Sequence, residues 1–329
     1  MKILIIRFSS IGDLTQALSI PSFIKSYVAQ AEIHLVTRKD LAPLVENHPA
    51  IKKLWVLDRA LGIKGLIALA KELRAEKFTH VYDAHNNMRS LVIRLCVRAD
   101  TTLVRPMMRF KRFLLIKFQK NFFEKPFSGQ RDLIKPLEKW GMKFKLPDTP
   151  QLFLNESVQR KAKELTSQLK DYIVLVPSAA YELKRWPIEF WDELIKKNPN
   201  RTFVVLAGKD DFFTKKLNSN PNVVNFTGTT DLLTSAAVIL NAKLTISNDT
   251  GLLHFSEQLG KPTIALMGPA PFGFPSRPST VILERSLKCR PCSKHGQGPC
   301  TNPNFQECLK SITPTEVTAH LNRILDNPA

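Results

Sequence analysis

The 329-residue sequence lacks most of the signatures that would place it at once. No Gly-x-Gly-x-x-Gly follows its first apolar run, so the usual dinucleotide fingerprint is missing. No Asp-x-Asp occurs, which argues against the divalent-cation cradle that many nucleotide-sugar enzymes use. No serine or cysteine has the elbow spacing of a hydrolase nucleophile. Gly260-Lys261-Pro262-Thr263 is not a P-loop, because proline separates the lysine from the threonine and Phe255 stands where the first glycine belongs. No apolar run approaches the roughly eighteen residues a membrane span needs. Met1 to Ile6 is too short for a signal peptide and runs straight into Arg7, so a cytoplasmic protein is expected. Five cysteines in a chain of this size do not make a disulfide scaffold. Acids are scarce beside bases, 29 against 48, for a net charge of +19. That excess suggests an anionic partner: nucleic acid, anionic lipid or a phosphorylated substrate.

What is present is an alternation of short apolar strands and helices. Lys2–Phe8, residues 33–37, 53–57 and 79–83 read as strands, with helices predicted at 14–27, 40–47 and 63–76. Pro21 should kink or restart the first helix. A second series begins at residues 172–176 and continues through 202–207, 223–226, 244–246 and 263–267. Leu146-Pro147-Asp148-Thr149-Pro150 reads as the linker between the two series. The pattern predicts an α/β protein of two Rossmann-like, doubly wound domains, 1–150 and 151–329, facing across a cleft that holds the active site. A last helix, about 314–326, is expected to pack back on the first domain.

The most informative stretch is Leu244–Pro269: strand, polar turn, helix, turn, strand. Ser247-Asn248-Asp249-Thr250 can cap the helix, and Gly251 lets a ligand approach its first N–H groups. Asp249 is itself negative, so it suits a cap or a partner for a ligand hydroxyl, while Thr250 and Gly251 donate to a diphosphate. Asp13 follows the first strand beside Gly12 and precedes a helix; it is a candidate general base or helix cap. Lys184 and Arg185, on the loop after the first strand of the second series, could neutralise a diphosphate leaving group. Cys289, Cys292, Cys300 and Cys308, with His295 nearby, could hold zinc, but the spacing is unusual and unligated thiols are the simpler reading; no metal or cofactor is assigned. Residues 98–146 carry thirteen Lys or Arg against four acids, and RPMMRFKRFLLIKFQKNFF interleaves bases with Phe, Leu and Met, as a segment lying on an anionic membrane surface does.

Four segments taken together resemble glycosyltransferase family nine, the bacterial ADP-heptose:lipopolysaccharide heptosyltransferases. They are KILIIRFSSIGDLTQALSIP at the N-terminus, YDAHNNMRS at 82–90, PSAAYELKRWP at 177–187 and SNDTGLLHFSEQLGKPTIALMGP at 247–269. The resemblance covers nearly the whole chain. It implies a GT-B fold and inverting, metal-independent transfer of heptose from ADP-heptose to the phosphorylated, Kdo-bearing lipid A core at the inner leaflet, with no nucleic acid involved. Carried over, Asp13 would be the general base and Lys184 would stabilise the departing ADP. Ser178, Arg185, Asp249, Thr250, Gly251 and His254 would serve the donor; Ser9, Ser10, Gly12, Asp83, Asn87 and Arg89 the acceptor. For His254 a core role is as good a reading. The Lys-Arg-Trp-Pro segment is closer to the second-heptose type. Ser128-Gly129-Gln130-Arg131-Asp132 departs from a segment common in the family, which leaves the acceptor open. The alternatives are transfer of another nucleotide sugar, or a non-catalytic nucleotide-sugar or nucleic-acid binder.

Overall fold

The computed structural model describes residues 1–326. It divides into two compact units: Met1–Met108 with Gly129–Phe153, and Arg109–Ser128 with residues 154 onward.

Unit 1 is built on a five-stranded parallel sheet of β1 (Lys2–Ile6), β2 (Glu32–Arg38), β3 (Lys53–Leu57), β4 (His80–Asp83) and β5 (Thr101–Val104), in the order β3-β2-β1-β4-β5. Ile3, Leu4, Ile5 and Ile6 have no exposed surface. An unbroken apolar strand of this kind is covered on both faces, which places β1 at the sheet centre, between β2 and β4. The chain winds one way from β1 to β2 and the other way to β4. Ligand crevices form outside the strand ends at such a reversal. The loops after β1 and β4 therefore converge on one spot.

Unit 2 repeats the plan with six parallel strands: β6 (Ile173–Val176), β7 (Phe203–Val205), β8 (Val223–Asn225), β9 (Leu244–Asn248), β10 (Thr263–Leu266) and β11 (Thr280–Leu283). Their order is β11-β10-β9-β6-β7-β8, so the reversal falls between β6 and β9. Trp186 and Trp191, ring centroids 5.1 Å apart, fill its core with strand residues Leu175, Ile246 and Leu266.

Several elements differ from the sequence reading. The first helix is two, Ile11–Ala17 and Ser19–Tyr27, with Pro21 in the opening turn of the second, where a missing N–H costs nothing. Strands β5 and β11, at the sheet edges, are additional to the strands read from the sequence. The basic segment 109–128 groups with unit 2, although it falls within the first series of strands and helices. The last helix, Pro314–Asp326, buries Val317 and Leu321 in the core of unit 2.

Candidate active site

The end of β1 delivers two charges to the reversal in unit 1. Arg7 is 4% exposed and donates from Nη1 to the Ala84 carbonyl at 2.6 Å, tying the loop after β4 to β1. Its Nη2 lies 2.9 Å from Asp13 Oδ2. Ser10, the N-cap of the helix Ile11–Ala17, donates to the same oxygen from its hydroxyl at 2.9 Å and from its backbone N–H at 3.3 Å. All three contacts fall on Oδ2. Asp13 is 42% exposed, so Oδ1 is left to solvent or to a ligand.

Burial would by itself push the Asp13 carboxyl up. The Arg7 guanidinium, the Ser10 hydroxyl, the Arg105 charge and the Ser10 N–H outweigh it and hold the group at about 2. Asp13 is thus a fixed carboxylate at any physiological pH. Beside it His85 is pushed down to about 4, by burial first and then by Arg7, so its imidazole is neutral. Arg7 and His85 were not singled out in the sequence. The cue for Arg7 was a buried-strand position carrying a base, and such a charge needs a partner.

Other acceptor candidates take different places. Ser9 and Gly12 sit half-buried around the turn with the exposed Ser10. Asp83 has no exposed surface. Its Oδ1 accepts from the N–H groups of His85 and Asn86 at 3.0 and 2.7 Å, and its Oδ2 lies 2.8 Å from Arg94 Nε. Its carboxylate is engaged in building the turn. Asn87 caps the helix Met88–Val97, accepting from Ser90 N at 2.9 Å. Arg89, on the first turn of that helix, is exposed.

In unit 2 the reversal between β6 and β9 joins the two motif-bearing loops. Lys184 Nζ lies 2.7 Å from Asp249 Oδ2, with both side chains largely buried. Asn248 locks the loops together, accepting from Trp186 N at 3.1 Å and donating to the Pro177 carbonyl at 2.7 Å. Thr250 is the N-cap of the helix Gly251–Gln258, and its side chain makes no capping hydrogen bond. Its first N–H groups, the adjacent Thr250 hydroxyl and the Lys184 ammonium together suit a diphosphate.

Arg185 is held by the Ala179 carbonyl at 2.9 Å, stacks 4.8 Å from the Phe213 ring centroid and pairs with Asp211 at 3.4 Å. Ser178 donates to the same Asp211 at 2.5 Å. These two donor candidates thus organise the mouth of the loop through Asp211, a residue the sequence reading left aside. His254 is 4% exposed and faces Glu257, Nδ1 to Oε2 at 3.4 Å. Glu257 in turn accepts from the N–H groups of Ser276 and Arg277. Burial places His254 against Glu257 inside unit 2.

The cysteine-bearing loop braces Lys184. Gly296 has φ +84°, and a Cβ there would stand 2.6 Å from Lys184 Cγ. Gln306 Nε2 donates to the Glu182 carbonyl at 2.8 Å and Gln297 Nε2 to the Tyr181 hydroxyl at 2.7 Å. Cys289, Cys292, Cys300 and Cys308 line one small cavity as free thiols. Among the described residues no three His, Cys, Asp or Glu side chains are gathered to hold a metal.

Two parallel, doubly wound units, one presenting a fixed carboxylate and the other an anion-receptive helix start with a lysine, define the class: a GT-B glycosyltransferase. The family model described as glycosyltransferase family 9 (heptosyltransferase) matches residues 66–301. The chain belongs to that family. It is 26% identical to lipopolysaccharide heptosyltransferase 2 of Salmonella typhimurium, an alignment covering 99% of each chain. Lipooligosaccharide heptosyltransferase 2 of Haemophilus ducreyi is 25% identical, again over 99% of each. Among solved structures, the family 9 glycosyl transferase of Veillonella parvula superposes with a TM-score of 0.81 at 22% identity, covering 99% of this chain and 98% of that one. E. coli ADP-heptose lps heptosyltransferase II gives 0.74 at 22% identity, with the same coverage.

Proposed function

We propose that this glycosyltransferase moves heptose from ADP-heptose to the inner core of lipopolysaccharide, by an inverting, metal-independent displacement, with the donor on unit 2 and the acceptor on unit 1. The observation that carries the mechanism is the asymmetry of Asp13: Oδ2 is anchored by Arg7 and Ser10 while Oδ1 is left to a ligand. An acceptor hydroxyl at Oδ1 attacks the anomeric carbon, and the bond from that carbon to the ADP oxygen breaks. The hydroxyl proton passes to Asp13. A carboxylate held at about 2 is a weak base. Transfer becomes favourable only as the new C–O bond makes the attacking oxygen cationic, so Asp13 takes the proton late. The departing diphosphate gains charge as it leaves. Lys184, Thr250 and the first N–H groups of the helix Gly251–Gln258 stabilise it there, and Asp249 holds the lysine in position until the donor arrives.

The acceptor is a phosphorylated glycolipid. The net charge of +19 favours it electrostatically and supports work at the cytoplasmic face of the inner membrane. Full-length similarity to heptosyltransferase 2 proteins supports the second core heptose as the step.

The test is a transfer assay with ADP-heptose and lipopolysaccharide acceptors of increasing core length, read by mass spectrometry. A heptose-sized gain is expected on the acceptor that already carries one heptose. Asp13→Asn should lower kcat by about 10²–10⁴-fold with ADP binding intact. Unchanged turnover in that variant would remove Asp13 as base, and no gain on any acceptor would move the reaction to another sugar.

A further inference from the structure

The chain leaves unit 1 after Met108, spends twenty residues on unit 2 and returns at Gly129. What pins this arm is specific. The Arg112 guanidinium stands 4.4 Å from the Phe272 ring centroid. Phe123 and Phe127 pack edge-on to Phe272 at 5.4 and 6.4 Å, and Phe127 meets Phe274 at 5.5 Å. Gln119 Nε2 donates to the Pro291 carbonyl at 3.0 Å.

The other side of the arm is uncovered. The helix Arg109–Phe118 buries a single residue, Leu115. At 100° per residue, Phe110, Phe113 and Lys117 fall in one arc, with Phe118 at its edge and Arg112 on the far side. Phe110 is 71% exposed, Phe113 54%, Phe118 55%, and Phe122 in the following loop 56%. The Phe113 and Phe118 rings contact each other edge to face, with centroids 5.7 Å apart. Single exposed aromatic residues are ordinary, but a contiguous cluster marks a contact surface. Its electrostatics are one-sided. Arg109, Lys111, Arg112, Lys117 and Lys120 fall between 109 and 123, and that span contains no acid.

We propose that this arm is a docking element for an anionic lipid surface, the Phe110, Phe113 and Phe118 rings entering the headgroup–acyl boundary and the bases beside them meeting anionic headgroups. A helix with aromatic rings on one face and bases flanking them has the form of an element lying in the interface plane. Aromatic rings settle at that boundary, and bases there are drawn by the negative surface potential. A second copy of this chain is a poor occupant, since it would set one cluster of bases against another. The inference deepens the glycolipid-acceptor reading and gives that reading a surface on which the acceptor is met. Its test is nonetheless independent of turnover.

Sedimentation of the full chain with phosphatidylcholine vesicles, with and without phosphatidylglycerol, measures it. Binding is expected only with the anionic lipid and should weaken as salt screens the headgroups. Phe110→Ser/Phe113→Ser/Phe118→Ser should lower the partition about tenfold or more, and Lys111→Gln/Lys117→Gln/Lys120→Gln should do likewise. Phe113→Trp should show an emission blue shift on the anionic vesicles alone. Transfer to a water-soluble, delipidated acceptor should be unchanged in both triple variants, which separates failure of docking from failure of the proposed reaction. Equal sedimentation of wild type and the serine variant would overturn the proposal. So would absence of binding to anionic vesicles, a dimer abolished by the serine substitutions, or retention by single-stranded oligonucleotides with no retention by vesicles.

Discussion

Arg7 Nη2 sits 2.9 Å from Asp13 Oδ2, so the most exposed carboxylate of the candidate site is tied to a guanidinium that solvent barely reaches. A cation that is itself buried and fixed by the Ala84 carbonyl orients its partner more sharply than a surface pair does. The pairing therefore fixes both the direction and the charge of Asp13.

Removing that cation should change the pH dependence as well as the rate. In Arg7→Met the largest of the influences that oppose burial at Asp13 is gone, and only Ser10 and Arg105 still hold its pKa down. The acid limb of kcat/KM, near pH 2 in the wild type and so below the working range, should rise toward or past the ordinary aspartate value near 4. Turnover should fall about 10–100-fold as the carboxylate loses its orientation. A pH–rate series on both proteins checks this. A slower enzyme with an unmoved limb would mean that Arg7 only holds the loop.

Lys184 Nζ faces Asp249 Oδ2 at 2.7 Å. If the lysine transfers to the diphosphate, Lys184→Met should lower kcat by about 10²–10³-fold. Asp249→Asn, which frees the lysine, should leave kcat within about tenfold of the wild type and alter donor KM instead. Steady-state kinetics with ADP-heptose varied reads both.

Gly296→Ala tests the brace from the cysteine-bearing loop. The residue has φ +84°, and the new Cβ would meet Lys184 Cγ at 2.6 Å. A stability loss of about 1–2 kcal/mol is expected from the backbone alone. ADP affinity should fall further than that loss of stability explains, because Lys184 is displaced. Urea unfolding and ADP titration on the same preparation separate the two effects.

Glu76 offers a pH test far from the site. Its carboxylate is held at about 2, first by the hydrogen bond from Lys2 at 2.6 Å and then by Lys53 at 2.7 Å. A carboxylate depressed in the folded state contributes stability that is fully present above its ordinary value of about 4.5 and is lost as pH falls toward about 2. Wild type should therefore lose about 1 kcal/mol more than Glu76→Gln between pH 6 and pH 3 in urea melts. Parallel curves would sink this assignment.

The strands of both units were legible because apolar runs such as KILII and IVLV are buried on both faces of parallel sheets. The loops around Asp13, Lys184 and Asp249 were legible because glycine, caps and bases clustered just after strands. A polar residue at a strand end or in a helix, such as Asp83 or His254, looks the same in the sequence whether it faces a ligand or builds the turn. Burial decides that, and burial is a property of the packed chain. Arg7 was overlooked for the converse reason: its partner lies six positions on, across a turn whose shape the residues alone do not give.

Local composition thus determined the strand–helix alternation, the excess of positive charge and the positions of the reactive side chains, since each follows from interactions within a few residues. Only the tertiary structure decided which of those side chains share a site. The reversal of strand order brings the loops after β6 and β9 together across some seventy residues of sequence, so that Lys184 can reach Asp249. Aromatic packing on Phe272 and Phe274 draws segment 109–128 onto unit 2. Such pairings depend on long-range contacts whose loop-closure entropy only the whole fold offsets, and no local pattern encodes them.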